Sequence, residues 1–260
     1  MPLCFQVLAS GSKGNSILVC SPGTRILLDA GLSGREIGRR LAKSAAGADR
    51  LDALLISHEH QDHVRGSGVL SRRFDIPVFL SRGTLEALPP EVGEISHTCP
   101  FEPGAAFVIG DLRITPFPIS HDAREPVGFC IEHENTKLGI CTDLGIATQL
   151  VKTRLQGCHG LIVEANHDPD RLLNGPYPWP LKQRIRSRQG HLSNLDSIDL
   201  LKCLHHENLR AVTFAHLSEV NNDPRLLVKC VRDLQSLPEW QNIRFEIARQ
   251  HEAVDAVELP

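Results

Sequence analysis

The sequence predicts an α/β protein arranged as a four-layer αββα sandwich. Short apolar runs fall into two blocks, each followed by helical stretches, so two similar halves can form two packed sheets with helices outside. Several runs, such as Ala53-Leu54-Leu55-Ile56-Ser57, are continuously apolar, as in strands buried on both faces. The chain has 260 residues without a low-complexity tract or linker, enough for one cored domain over 1–260. Periodicity alone leaves a doubly wound α/β fold equally open.

Taken in order, Phe5-Gln6-Val7-Leu8, Ser16-Ile17-Leu18-Val19-Cys20 and Arg25-Ile26-Leu27-Leu28-Asp29 read as strands punctuated by Gly, Pro and Ser. A helix over Gly34 to Ala46 turns Ile37 and Leu41 inward. The strand from Ala53 to Ser57 precedes a helix near Val64–Phe74, a strand at Pro77–Leu80 and a helix near Thr84–Leu88. Strands at Ala106–Ile109 and Leu112–Pro116 flank a Gly110-Asp111 turn. Strands at Gly128–Glu132 and Lys137–Cys141 flank an Asn135-Thr136 turn and form a hairpin. Thereafter helices are expected at Thr148–Leu155, Leu195–His205 and Pro224–Leu237, and strands at Gly160–Glu164, Ala211–Ala215 and Arg244–Ala248.

The hydrophobic fraction of 41% and charged fraction of 23% suit a soluble globular protein. A net charge of -3 offers no global attraction to nucleic acid or anionic membrane, so a polyanion site has to be a local patch. No apolar run approaches the roughly 20 residues that span a bilayer, and the opening MPLCFQVLAS lacks the pattern of a secretory signal. None of the eight cysteines forms a CxxC pair, which points to reduced buried thiols and a cytoplasmic address.

Chemistry concentrates in His58-Glu59-His60-Gln61-Asp62-His63, directly after a buried strand. Imidazole nitrogens and carboxylate oxygens are good ligands for zinc, manganese and iron. A loop lets adjacent side chains converge where a strand would send His63 to the opposite face. His121, Asp143 and His216 each follow an apolar strand, so each is a candidate to complete the coordination.

The HxHxDH run, preceded by Leu27-Leu28-Asp29-Ala30-Gly31, resembles the metallo-β-lactamase-fold superfamily. That resemblance implies the αββα sandwich, with the site along one edge between the sheets. It also implies two divalent ions (Zn2+, Mn2+ or Fe2+). His58, His60 and His121 would hold the first, Asp62, His63 and His216 the second, and Asp143 would bridge them. A water shared by the two ions would give a bridging hydroxide as the attacking group.

Four further features bear on the substrate. The Ser10–Ser16 loop offers backbone N–H groups, Ser12 and Asn15 to a phosphate, or is a plain turn. Val163-Glu164-Ala165-Asn166-His167-Asp168 ends a strand, and Gly190-His191-Leu192-Ser193-Asn194 is similar to an element of tRNA 3′-processing nucleases. By that resemblance His191 faces the scissile phosphate and Glu164 supports it, which makes Asp62, His191 and Glu164 the candidate catalytic residues. Lys182, Arg184, Arg186 and Arg188 form either a solvated helix face or a backbone clamp, with Arg184 and Arg186 as candidate substrate contacts.

Together these motifs resemble the YycJ/WalJ-type group, described as metal-dependent phosphodiesterases or 5′→3′ exonucleases. Nucleic acid is then the expected substrate, with no membrane partner. Only about 70 residues separate Asp143 from His216, too few for the β-CASP clamp of larger nucleases, and the Gly/Pro-rich arm of the tRNA enzymes is missing. A thioesterase, lactonase or cyclic-nucleotide phosphodiesterase is the alternative.

Overall fold

The computed structural model describes residues 2–44 and 50–260. The first half forms β1 (Cys4–Ala9), β2 (Ser16–Cys20), β3 (Arg25–Leu28), α1 (Gly34–Leu41), β4 (Ala53–Leu55), the one-turn α2 (Gln61–Val64), α3 (Ser67–Phe74), β5 (Pro77–Ser81), α4 (Arg82–Glu86) and β6 (His97–Phe101). The second half forms β7 (Phe107–Ile109), β8 (Leu112–Pro118), β9 (Val127–His133), β10 (Thr136–Cys141), α5 (Gln149–Leu155) and β11 (Gly160–Glu164). It continues through α6 (Pro169–Asn174), α7 (Trp179–Ile185), α8 (Asn194–Leu204), β12 (Ala211–Ala215), α9 (Pro224–Gln235), β13 (Arg244–Ile247) and β14 (Val257–Glu258).

The strands make two seven-stranded sheets, β14-β1-β2-β3-β4-β5-β6 and β13-β12-β11-β10-β9-β8-β7. Each sheet changes from antiparallel to parallel pairing along its width, at β3 in one and β10 in the other. The period-2 alternation of strand side chains sorts the core into layers. Phe5, Val7, Ile17 and Leu28 of the first sheet meet Ile114, Phe129, Leu138 and Ile162 of the second. Leu18, Leu27 and Leu54 point the other way, onto Ile37 and Leu41 of α1 and Leu70 of α3. Leu161, Val163 and Phe214 pack under Val151 of α5, Leu201 of α8 and Leu227 of α9. Helix, sheet, sheet and helix therefore stack as the predicted αββα sandwich.

Some expectations shift. The helix expected near Val64–Phe74 breaks at Gly66, giving α2 and α3; a Cβ at Gly66 would lie 2.4 Å from the Leu32 carbonyl oxygen. Helix α1 ends at Leu41, and Ala46 lies outside the described residues. The hairpin turn is Glu134-Asn135 rather than Asn135-Thr136, because Glu134 takes the left-handed conformation (φ 51°) and Thr136 already pairs with His133. Strand β6 escaped the sequence reading because it is a largely exposed edge strand carrying Pro100, without an apolar alternation. Helices α6 and α7 are short and Pro-flanked, so they carry too little periodicity to register.

Helix α8 starts from a capping box, in which the Ser193 side chain accepts from Asp196 N–H and the Asp196 carboxylate accepts from Ser193 N–H. Ser193→Ala should lower stability by about 1 kcal/mol, measured as a shift of the urea midpoint at unchanged slope.

Parallel strands present their C-terminal ends on one side. Residues following β3, β4, β8, β10, β11 and β12 therefore gather along one edge, where the two sheets meet.

Candidate metal centre

The buried strand β4 delivers the HxHxDH segment to that edge, and the one-turn α2 bends it back. His58 and His63 are fully buried, whereas His60 and Asp62 are partly open. His58 Nε2 lies 3.1 Å from His60 Nδ1, and His121 Nε2 lies 3.3 Å from the same nitrogen. On the other side, Asp62 Oδ2 lies 3.6 Å from His63 Nε2 and 3.5 Å from His216 Nε2. Asp143 sits between the two groups. Its Oδ2 is 3.3 Å from His63 Nε2, and its Oδ1 is 3.4 Å from His216 Nδ1 and 3.9 Å from His121 Nε2. In each of the groups His58–His60–His121 and Asp62–His63–His216, one donor atom per residue lies within 4.8 Å of the others.

Backbone conformation helps aim these side chains. Asp29, Asp143 and His216, each just past a strand end, adopt left-handed φ of 61°, 57° and 56°. Such conformations cost about 1–3 kcal/mol each for non-glycine residues and persist where surrounding structure enforces them. Gly31 permits a close approach: a Cβ there would sit 1.6 Å from the Asp62 carbonyl oxygen.

The donor set fits a divalent cation on two counts. Asp143 Oδ2 and His216 Nε2 are buried without a hydrogen-bond partner, an unfavourable state for polar atoms unless a cation satisfies them. The protonation pattern also suits one. Burial, reinforced by neighbouring His63, holds His58 well below the usual histidine range, leaving a neutral ring with a lone pair. Burial opposes charge on Asp143, but His216 and His63 beside it hold its carboxyl well below the usual range, ionised. His63 and His216 are pushed up despite burial, chiefly by Asp143, so protons balance the carboxylates where cations would do so instead.

Surrounding groups fix the rings. Asp29 Oδ2 lies 2.7 Å from His63 Nδ1, and the Asp29 carboxylate accepts from Ser57 N–H and Oγ–H at 2.9 Å each. Glu164, fully buried, places Oε1 2.8 Å from His191 Nδ1 and 2.9 Å from His216 Nδ1. Its Oε2 accepts from the backbone N–H groups of Leu144 and Leu192. Burial works against this carboxylate, but the His191 and His216 rings hold it down at about 2. Gly190 keeps His191 close to α7, since a Cβ there would lie 2.2 Å from the Ile185 carbonyl oxygen.

A cavity of about 260 Å³ opens over the cluster, and Ser12, Arg184 and His191 share its lining with His60, Asp62, His121, Asp143 and His216. Arg184 is tethered there by Asp122, at 2.5 Å. Two candidate contacts stand elsewhere. Asn15 is buried, its amide 3.2 Å from the Gly11 carbonyl oxygen, 3.3 Å from Asp62 Oδ2 and 3.0 Å from His63 Nε2, so it braces the cluster from behind. Arg186 lines a separate cavity with Arg188 and Lys152, beyond Leu192. Sequence reasoning missed Ser57, Asp122 and Tyr177 as parts of the site, and used Asp29 only within a motif. Asp29 follows an apolar strand as Asp143 does, and that shared signal was enough to find it.

Residues 24–217 match the Beta-lactamase superfamily domain. The chain belongs to the β-lactamase superfamily. Among its superfamily relatives, the exodeoxyribonuclease YycJ of Bacillus anthracis is 35% identical over 224 residues, 85% of each chain. The exodeoxyribonuclease WalJ of Streptococcus pneumoniae strain D39 is 36% identical over 222 residues, 84% of this chain and 82% of the relative. A solved superfamily fold, the metallo-β-lactamase fold protein YhfI from Bacillus subtilis, aligns over 98% of this chain and 100% of its own at TM-score 0.72 and 17% identity. Superfamily membership and the His/Asp clusters are consistent with a metal-dependent hydrolase and suit divalent cation binding. No helix among the described residues is long and apolar enough to cross a membrane.

Proposed function

We propose that this superfamily member is a dinuclear metal-dependent phosphodiesterase that degrades DNA as an exonuclease, working as one domain in the cytoplasm. The observation that carries the reading is the pair of donor groups flanking Asp143, beside a histidine held by a buried glutamate. The names of the YycJ and WalJ relatives support DNA as the polymer. His58, His60 and His121 would hold one ion and Asp62, His63 and His216 the other, with Asp143 shared.

Bound zinc, manganese or iron supplies Lewis acidity toward phosphate oxygens and lowers the pKa of water. The chain's own groups do the rest. Glu164 engages His191 Nδ1, which leaves Nε2 as the ring nitrogen able to donate to a phosphate or leaving-group oxygen. Burial opposes a charged His191, but Glu164 raises its pKa, so the proton is available for donation. Arg184, paired through Nε with Asp122, lines the cavity and would offer its remaining N–H groups to a phosphate, and the Ser12 hydroxyl would offer a further donor. Asp62, which lines the cavity, would orient the attacking water.

The test uses purified, metal-analysed protein with 5′-labelled single- and double-stranded DNA and RNA, bis-p-nitrophenyl phosphate, and thioester and lactone substrates, with and without chelator. Nucleotide release from DNA that chelator stops is the expected result. Lactone or thioester turnover with inert nucleic acid overturns the reading in favour of a small-molecule hydrolase. Asp29→Asn should weaken metal binding about 10–100-fold, because it loosens the partner that orients His63; chelator competition measures this.

A further inference from the structure

The cavity over the cluster is small. At about 260 Å³ it falls short of the roughly 300–1,000 Å³ of pockets that enclose whole ligands. A scissile phosphate fits inside, but most of a nucleotide has to lie outside against whatever borders the mouth. That border includes Tyr177, in the connection Gly175-Pro176-Tyr177-Pro178 between α6 and α7, and Trp179 follows as the first residue of α7.

This segment has unusual composition. Tyr177 is the chain's single tyrosine, and Trp179 is one of two tryptophans. Tyr177 lines the same cavity as His60, Asp62 and His191. Trp179, two residues on, is 55% exposed, whereas Trp240 is packed in the core at 3%. Among the described residues, the Tyr177 and Trp179 rings do not stack on other aromatic rings of the protein. A large apolar ring more than half exposed forgoes about half of the stabilisation that full burial would give. Prolines at 176, 178 and 180 restrict the backbone around both rings, so little freedom remains to be lost when a ligand docks.

We propose that Tyr177 and Trp179 form a stacking platform for the bases of the nucleotides nearest the scissile bond, doing the holding that a separate clamp domain does in larger nucleases. This assignment rests on the phosphodiesterase reading above. Aromatic rings accept any base on their faces, so the platform positions a strand without reading its sequence. Arg184, on the same helix as Trp179, lines the cavity and would meet the phosphate side of such a strand.

The test compares the metal-loaded protein on two DNA substrates: one with natural bases at its end, the other carrying abasic residues at the nucleotides next to the scissile bond. Each is run with wild type, Tyr177→Ala, Tyr177→Phe and Trp179→Ala. Wild type should show a KM for the natural end at least roughly 5- to 150-fold below that for the abasic end, the range for a single stacked base. In Tyr177→Ala and Trp179→Ala the two KM values should converge, with kcat little affected, while Tyr177→Phe keeps the wild-type preference. A variant that lowers both substrates equally, or a wild type indifferent to the missing bases, overturns the platform while leaving the phosphodiesterase reading intact. Absence of nucleotide release from either substrate overturns that reading instead.

Discussion

Asp143→Ala should cost the protein both metal content and activity, with DNA hydrolysis falling by more than about 10³-fold. Asp143 is 2% exposed, and its two oxygens approach four rings: His63, His216, His121 and His191. Removing it deletes the donor common to both proposed groups. It also removes the carboxylate that most favours charge on His63 and His216, leaving Asp29 and Glu164 as their nearest partners. The loss should exceed the roughly 10²–10³-fold that follows removal of a single transition-state donor elsewhere. Asp143→Asn separates charge from shape, because the amide fills the same space with one weak oxygen donor. Metal per chain by elemental analysis, circular dichroism and nucleotide release check the outcome together. A folded Asp143→Ala protein with full metal and full activity would remove Asp143 from the site.

His191→Ala should behave differently. Metal content is expected to stay at the wild-type value while kcat drops about 10²–10⁴-fold, the range for a positioned proton donor. The distinction is sharp because His191 belongs with Asp143, Glu164 and His216 in a group whose atoms also lie within 4.8 Å of one another. Loss of metal in His191→Ala would therefore transfer the residue to the ligand set. Glu164→Gln tests the partner. Glu164 touches His191 and His216 through the same oxygen, so this variant should lower the rate like His191→Ala and also weaken metal binding about 10–100-fold. The double variant should be little slower than the worse single one, since the two side chains act as a unit.

Much of the scaffold was legible without coordinates. The strand runs at Ser16–Cys20, Gly160–Glu164 and Ala211–Ala215 match the observed bounds, because strands buried on both faces leave continuous apolar signatures. Strand β6 was not legible, since an edge strand with His97, Thr98 and Pro100 carries no burial pattern. For α7 the sequence flagged the basic Lys182 and Arg184 but not the aromatic Tyr177 beside it, whose place on the cavity comes from how the chain folds over strand ends built elsewhere.

The HxHxDH segment shows where the boundary lies. The sequence alone determined that His58, His60, Asp62 and His63 are ligand-type groups dense enough to call for a metal. It also determined that His121, Asp143 and His216 each follow an apolar strand and that Glu164 ends one. Tertiary structure decided that these strand ends share one edge, that Asp143 stands between two donor groups, and that one Glu164 oxygen serves two histidines. It also decided that Asn15 braces the cluster while Arg186 faces another cavity. The physical reason is that residue type and period report local burial and chemistry, which neighbours along the chain specify. Convergence depends on packing between segments far apart in the chain, such as the contact across the two sheets in which Ser10 Oγ accepts from His216 N–H, 206 residues away.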